Sequence, residues 1–226
     1  MAHQSAPDSG YRTQPLLDFV TKTMAREDEV LKTIRETTVA KGLPPISVGP
    51  DEGRMLHFLA SSVGAKKIVE VGTLAGYSAC WLARSLPKGG MLHTIEFDPM
   101  HAKVAQENIA TAGLSEKATV HIGAGTAVLP SLEKHGPFDL VFIDADKVGY
   151  ESYAKWAVKN VRSGGLVICD NAYLFGNLHR ELPADHEDAP KVAPMRAALA
   201  LLADEKLFAS CAMIPTGEGM AVAVRR

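Results

Sequence analysis

The chain has 226 residues, of which 46% are hydrophobic and 22% charged, enough for one α/β domain with a full core. Its formal net charge of −2 excludes a basic surface for nucleic acid or for an anionic membrane. Cys80, Cys169 and Cys211 lie far apart in apolar contexts and form no C-x-x-C pair, which predicts buried free thiols in a reducing cytoplasm. The polar start, MAHQSAPDSG, lacks the apolar core of a signal peptide, and no apolar run approaches the roughly 18 residues of a membrane span.

The first dozen residues read as a frayed tail. Residues 14–41 then carry apolar positions at helical spacing (Leu16, Leu17, Val20, Met24, Val30, Leu31, Ile34), ended by Gly42, Pro44 and Pro45. Residues 51–63 predict a second helical stretch. From there strands and helices alternate. KKIVEVG is a strand and YSACWLARSL a helix, and MLHTIEF is a strand followed by a helix over Pro99–Ala112, with Asp98 as its cap and Gly113 past its end. ATVHIG is a strand, TAVLPSLEK a short helix, FDLVFID a strand, YAKWAVKNV a helix and GGLVICD a strand. A helix near residues 190–204 follows, and LFASCAMI and MAVAV around PTGEG close the chain as a hairpin. Near-continuous apolar strands alternating with helices predict an α/β fold with a parallel, doubly wound sheet and an antiparallel C-terminal edge. Residues 1–226 form a single domain in this reading, with 1–45 as tail and helical appendage.

Ligands of such sheets bind beyond the carboxyl ends of the strands. The first strand ends there in Gly72 and Gly76. Their spacing, G-x-x-x-G, departs from the dinucleotide fingerprint and disfavours a pyrophosphate cradle. Glu70, two residues earlier, is either a carboxylate that attracts an ammonium or sulfonium ligand or an internally paired strand end. Glu96 ends the second strand, placed to hold the hydroxyls of a ribose or simply to start the next helix. An unphosphorylated nucleoside with a cationic group describes S-adenosylmethionine. Gly123, Ala124 and Gly125 offer small residues against which an adenine can lie.

The fourth strand ends in Asp144, Asp146 and Lys147, the fifth in Asp170 and Asn171. Adjacent strand ends would bring Asp144, Asp170 and Asn171 together. Three oxygen donors suit a hard divalent ion, Mg²⁺ in preference to Zn²⁺. Lys147 is either a general base, its pKa depressed by a nearby cation, or a lysine paired with Asp146 or Asp170. The eight histidines are scattered and none joins this cluster.

As an ordered set, VEVGTLAGYSA, TIEFD, GAGTAVLP, FDLVFIDADK and GGLVICDN resemble the cation-dependent O-methyltransferases, the catechol and caffeoyl-coenzyme A O-methyltransferase family, in its bacterial-type branch. The resemblance runs from about Ser47 to the C-terminus. It implies a seven-stranded, Rossmann-like class I methyltransferase sheet, S-adenosylmethionine, a divalent metal (Mg²⁺, or Mn²⁺ or Ca²⁺) and a homodimer. It implies cofactor contacts at Val48, Glu70, Gly72, Thr73, Ser78, Glu96, Gly125 and Asp144, metal ligands at Asp144, Asp170 and Asn171, and Lys147 as the base. Gly125 stands where relatives carry alanine or serine, and the stretch after Asn171 lacks the tryptophan of plant relatives. The expected reaction is methyl transfer to a phenolic hydroxyl of a small catechol-type acceptor, with Tyr150, Tyr173, Leu174 and Phe175 as candidate walls around the ring or as packing residues. Two rivals are a phosphatase using Asp144 and Asp146 in its hhhDxD pattern, and a cofactor-binding protein that has lost catalysis.

Overall fold

A computed structural model describes residues 13–226. The tail assigned to the first dozen residues lies outside the described residues. The seven strands are β1 (Lys67–Val71), β2 (Met91–Glu96), β3 (Ala118–Ile122), β4 (Phe138–Ile143), β5 (Val161–Cys169), β6 (Phe208–Ile214) and β7 (Met220–Arg225). They form one sheet in the order β3-β2-β1-β4-β5-β7-β6. β1 to β5 pair in parallel, and β7 runs antiparallel to both β5 and β6. The expected doubly wound sheet and its antiparallel C-terminal pair are therefore present.

Among the described residues the eight α-helices are α1 (Gln14–Met24), α2 (Glu29–Ala40), α3 (Pro50–Ser62), α4 (Tyr77–Ser85), α5 (Pro99–Thr111), α6 (Gly125–Leu132), α7 (Tyr150–Asn160) and α8 (Ala189–Leu202). They cover both faces. Along β4, Leu140 and Phe142 join the cluster packed under α2 to α5, while Val141 and Ile143 join the one under α6 to α8. This period of two explains why the central strands are apolar throughout: each side chain has a covered face to enter. Burial of a large apolar side chain contributes about 1.5–3 kcal/mol, so these two layers supply the main driving force.

Three local expectations change. The apolar pattern over residues 14–41 is two helices, because Asp28 accepts from Leu31 N at 3.0 Å and caps a new helix there. α2 is then tied to α4 through Glu27, which takes Arg35 Nε at 2.7 Å and Tyr77 Oη at 2.8 Å. Next, α7 begins at Tyr150, not Tyr153. Finally, Cys211 is exposed on the edge strand β6, whereas Cys80 and Cys169 are buried as expected. An edge strand has only one covered side, so an apolar residue context there does not guarantee burial.

Three histidines meet away from the strand-end rim. His93 Nδ1 lies 3.0 Å from His121 Nε2, and the His135 ring lies 4.7 Å from the His93 ring, centroid to centroid. Burial, and then the neighbouring His121, His135 and Lys67, push the His93 pKa down to about 4. A depressed imidazole pKa means that the unfolded chain binds a proton the folded chain refuses, so stability is full above about 6.5 and is lost as pH falls toward 4. Thermal unfolding followed from pH 7 to pH 4 should show this decline, and His93→Gln should flatten it. Parallel curves for the two proteins would exclude His93 as the source.

Candidate active site

Strand order reverses between β1 and β4, and there the chain ends open into a cavity of about 940 Å³. The glycine turn after β1 forms its floor. Gly72 has φ +97°, and a Cβ on it would stand 1.8 Å from the Asp144 carbonyl oxygen at the end of β4. Only glycine fits this approach. Gly76 and Leu74 are also left-handed, with φ of +84° and +49°. The turn is held from two sides: Asn108 Nδ2 donates to Ala75 O at 2.9 Å, and Glu96 accepts from Thr73 N at 3.2 Å and Leu74 N at 2.7 Å. Gly76 precedes α4 without a side-chain cap.

Of the residues expected to meet a cofactor, Val48, Gly72, Thr73, Ser78, Glu96, Gly125 and Asp144 line this one cavity. Glu70 does not reach its surface. It points to the α4 side of the sheet and is fully buried, with Oε2 accepting from Thr94 Oγ1 at 2.6 Å and Ser78 beside it. Its Oε1 has no hydrogen-bond partner. Burial drives the Glu70 pKa up to about 8, against the lowering influence of Ser78 and Thr94. Glu96 is shared between turn and cavity. Besides the two turn amides it accepts from Asp98 N at 3.0 Å, and His101 Nδ1 stands 3.7 Å from it.

The acid cluster forms where β4 and β5 end side by side, with Asp170 N donating to Ile143 O at 3.0 Å. Asp170 is buried and its Oδ1 has no hydrogen-bond partner. Burial, then the charge of Asp144, raises its pKa. Asn171 follows in a left-handed conformation, φ +48°, which asparagine tolerates better than most residues, and lines the cavity. Among the described residues no group of three His, Cys, Asp or Glu is arranged to hold a metal. The donor set here is two carboxylates and one amide, and its mutual repulsion and orphaned oxygen fit a hard cation.

Lys147 reaches back over this rim. Its Nζ donates to Asp144 Oδ1 at 3.0 Å and to Tyr150 Oη at 2.8 Å. Asp144 is thus its partner, in place of Asp146 or Asp170. Asp146 instead accepts from Tyr153 Oη at 2.5 Å and Gly149 N at 2.9 Å. That arrangement makes Asp146 a turn cap, so the second aspartate of the hhhDxD pattern is already engaged. Among the candidate walls, Tyr150 and Leu174 are fully buried and Tyr173 packs on Gly219 of the β6–β7 turn, so Phe175, half exposed, is the one that lines the cavity. Burial and the charge of Asp144 hold the Tyr150 phenol well above its ordinary pKa.

Sequence reasoning missed His101 and Tyr153. Tyr153 lines the cavity beside Gly125 and Gly149, where added Cβ atoms would lie 2.8 and 2.4 Å from its ring. The glycine at 125 is therefore matched to an aromatic neighbour, a pairing visible in sequence only as Gly149 one helical turn before Tyr153.

The family model for O-methyltransferases matches residues 21–226. A catechol O-methyltransferase of Niastella koreensis is 44% identical over 162 residues, 71% of this chain and 73% of that protein. A catechol O-methyltransferase of Mycobacterium tuberculosis is 37% identical over 178 residues, 79% of each chain. The crystal structure of the O-methyltransferase from Bacillus cereus in complex with S-adenosylhomocysteine superposes with a TM-score of 0.85 at 34% identity, covering 92% of this chain and 96% of that one.

The buried carboxyl of Glu70 gives a stability prediction. A carboxyl pKa raised from 4.5 to about 8 keeps a proton on the folded state that the unfolded chain releases, so rising pH favours unfolding across that window. Glu70→Gln, a neutral isostere, should gain stability relative to wild type progressively from about pH 4.5 to 8, by on the order of a few kcal/mol at the alkaline end. Denaturant titrations of both proteins at several pH values measure it, and a pH-independent difference would mean that Glu70 is ionised in the fold.

Proposed function

The chain belongs to the O-methyltransferase family, and from that premise we propose that it transfers the methyl group of S-adenosylmethionine to one hydroxyl of a catechol-type small molecule, with help from a divalent cation. One observation carries the reading beyond the family. The orphaned Asp170 Oδ1 is buried where β5 ends beside β4, between the strand and Asn171, and Asn171 and Asp144 line the same cavity as Glu96 and the glycine turn. The bound S-adenosylhomocysteine of the Bacillus cereus enzyme supports the cofactor. The names of the two catechol O-methyltransferases support the acceptor class.

In this reading Gly72, Thr73, Ser78 and Gly125 shape the cofactor half of the cavity, with Val48 over it. Glu96, one lone pair still free after its three backbone bonds, accepts from a ribose hydroxyl. S-adenosylmethionine supplies the electrophilic methyl: an O–CH₃ bond forms, the S–CH₃ bond breaks and one proton is released. Mg²⁺ at Asp144, Asp170 and Asn171 would supply Lewis acidity, lowering the proton affinity of a phenol whose free pKa is about 10. Lys147 Nζ, in its unprotonated form, receives the released proton. Phe175 presents its exposed ring to the acceptor and excludes water from one side. A homodimer belongs to the same reading, and Phe19, Met24 and Phe58 are large apolar residues left exposed on α1 and α3.

Two outcomes test it. Chelator treatment should abolish turnover and Mg²⁺ or Mn²⁺ should restore it; Asp170→Ala should lose Mn²⁺ binding, read by calorimetry, while still binding S-adenosylhomocysteine. Full turnover in chelator-treated enzyme would remove the metal from the mechanism. The second concerns the acceptor. Two adjacent hydroxyls can both engage one cation, so a vicinal diol is fixed in place where a monophenol pivots, and misplacement of about 1 Å can cost on the order of 10²-fold in rate. kcat/KM for catechol should therefore exceed that for phenol at least about tenfold. Equal values would mean that the acceptor is held some other way.

A further inference from the structure

We propose that Tyr150 is a positioning residue: its buried hydroxyl, pinned to the chain ends of both β4 and β5, fixes the side-chain nitrogen of Lys147 in the site. The inference rests on the reading that Lys147 takes the acceptor's proton, and it names what holds that lysine in place. Tyr150 is completely buried at the start of α7. Its Oη faces two main-chain acceptors, Ile143 O at 3.3 Å and Asp170 O at 3.1 Å, and receives Lys147 Nζ at 2.8 Å. A hydroxyl has one proton and two lone pairs. With carbonyls on one side, the proton is committed to the strand ends, and a lone pair is left facing Lys147. The same nitrogen stands 4.8 Å from the centre of the Tyr150 ring.

The geometry matters because lysine is a flexible stem with a compact charge. Held by Asp144 Oδ1 alone, Nζ could swing about a single contact. Two contacts from different elements, Asp144 at the end of β4 and Tyr150 on α7, leave it one position, and its side chain is 10% exposed there. The carbonyls of Ile143 and Asp170 make that position depend on how β4 and β5 end, the same two ends that carry Asp144, Asp170 and Asn171. If Tyr150 were an ordinary core tyrosine, the two carbonyls would satisfy its hydroxyl and its loss would touch stability only.

The test uses Tyr150→Phe, Lys147→Ala and the double variant in the full chain. In Tyr150→Phe, kcat should fall at least about tenfold, with acceptor KM and the affinity for S-adenosylhomocysteine unchanged. The double variant should be no slower than Lys147→Ala, because the tyrosine acts through the lysine. Trace acetylation with acetic anhydride, read by peptide mass spectrometry on metal-free protein, gives a second readout: Lys147 should label several-fold faster in Tyr150→Phe, with Lys155 unchanged. An unchanged kcat in Tyr150→Phe, or an equal fall on the Lys147→Ala background, would overturn the proposal. If Lys147→Ala itself keeps full kcat, the base assignment fails, and the labelling alone then decides whether Tyr150 holds the lysine. Should Tyr150→Phe not fold, labelling of Lys147 in wild type as fast as that of Lys155 would equally overturn it.

Discussion

The contact on which the site depends is the meeting of β1 and β4 at Gly72. A Cβ there would stand 1.8 Å from the Asp144 carbonyl oxygen, so a side chain of any size would drive the two strand ends apart. The approach is fixed by hydrogen bonds on both neighbours, Asp144 N to Val71 O at 2.8 Å and Gly72 N to Ile95 O at 2.9 Å. Because the peptide at Gly72 lies against that at Asp144, the chain leaves β1 in a left-handed turn and the Asp144 side chain stands at the cavity rim. The turn residues and the first carboxylate of the acid cluster thus share one backbone constraint.

The second organising feature is electrostatic. Burying an ionised carboxylate without a partner is costly, and proteins ordinarily pair it, protonate it or bind a cation. Three acids near the strand ends meet that cost in different ways. Glu96 is satisfied by three backbone amides and keeps a polar role at the cavity edge. Glu70, with one oxygen orphaned, is pushed toward the protonated form and becomes a neutral support beneath the turn. Asp170, also with an orphaned oxygen, differs in feeling the charge of a second aspartate, Asp144, at the neighbouring strand end. Three acids of similar sequence context, each at or near a parallel strand end, thereby take different parts because their surroundings differ.

Much of this architecture was legible in the sequence. Alternating apolar strands and helices announced the parallel sheet, and the acids within VEV and TIE and after VFI and VIC marked the strand ends on which the cavity is built. What was not legible depends on contacts between residues far apart in the chain. Nothing in the run FIDADKVGY says that Tyr150 would reach the Asp170 carbonyl, twenty residues on, or that Lys147 would choose Asp144 over Asp146. Glu70 looked available to a ligand because its strand position was clear but its side of the sheet was not. The break between α1 and α2 was readable in principle, since Asp28 before an apolar-periodic run is a helix start, but a continuous apolar pattern outweighed it. Cys211 misled for a related reason: apolar neighbours do not reveal that a strand will lie at an edge.

The two halves of the cavity answer to different parts of the chain. The half that carries Glu96 is built by the ends of β1, β2 and β3, from turns whose conformations are set by glycine and by backbone hydrogen bonds to Glu96. The other half is built by the ends of β4 and β5 and by the segment after Asn171, where Leu174 and Phe175 also adopt left-handed backbone, with φ of +50° and +53°. Non-glycine residues hold such conformations at a cost of order 1–3 kcal/mol each, repaid only where surrounding packing fixes them. Leu174 is anchored in the core, and that anchoring leaves Phe175 turned outward at the cavity mouth with the Lys191 ammonium 6.0 Å from its ring. Three of the left-handed non-glycine residues, Asn171, Leu174 and Phe175, thus lie in the half that carries Phe175, while the other half holds Leu74 among glycines that tolerate such conformations. The residues around Phe175 can therefore change without disturbing the constraint at Gly72.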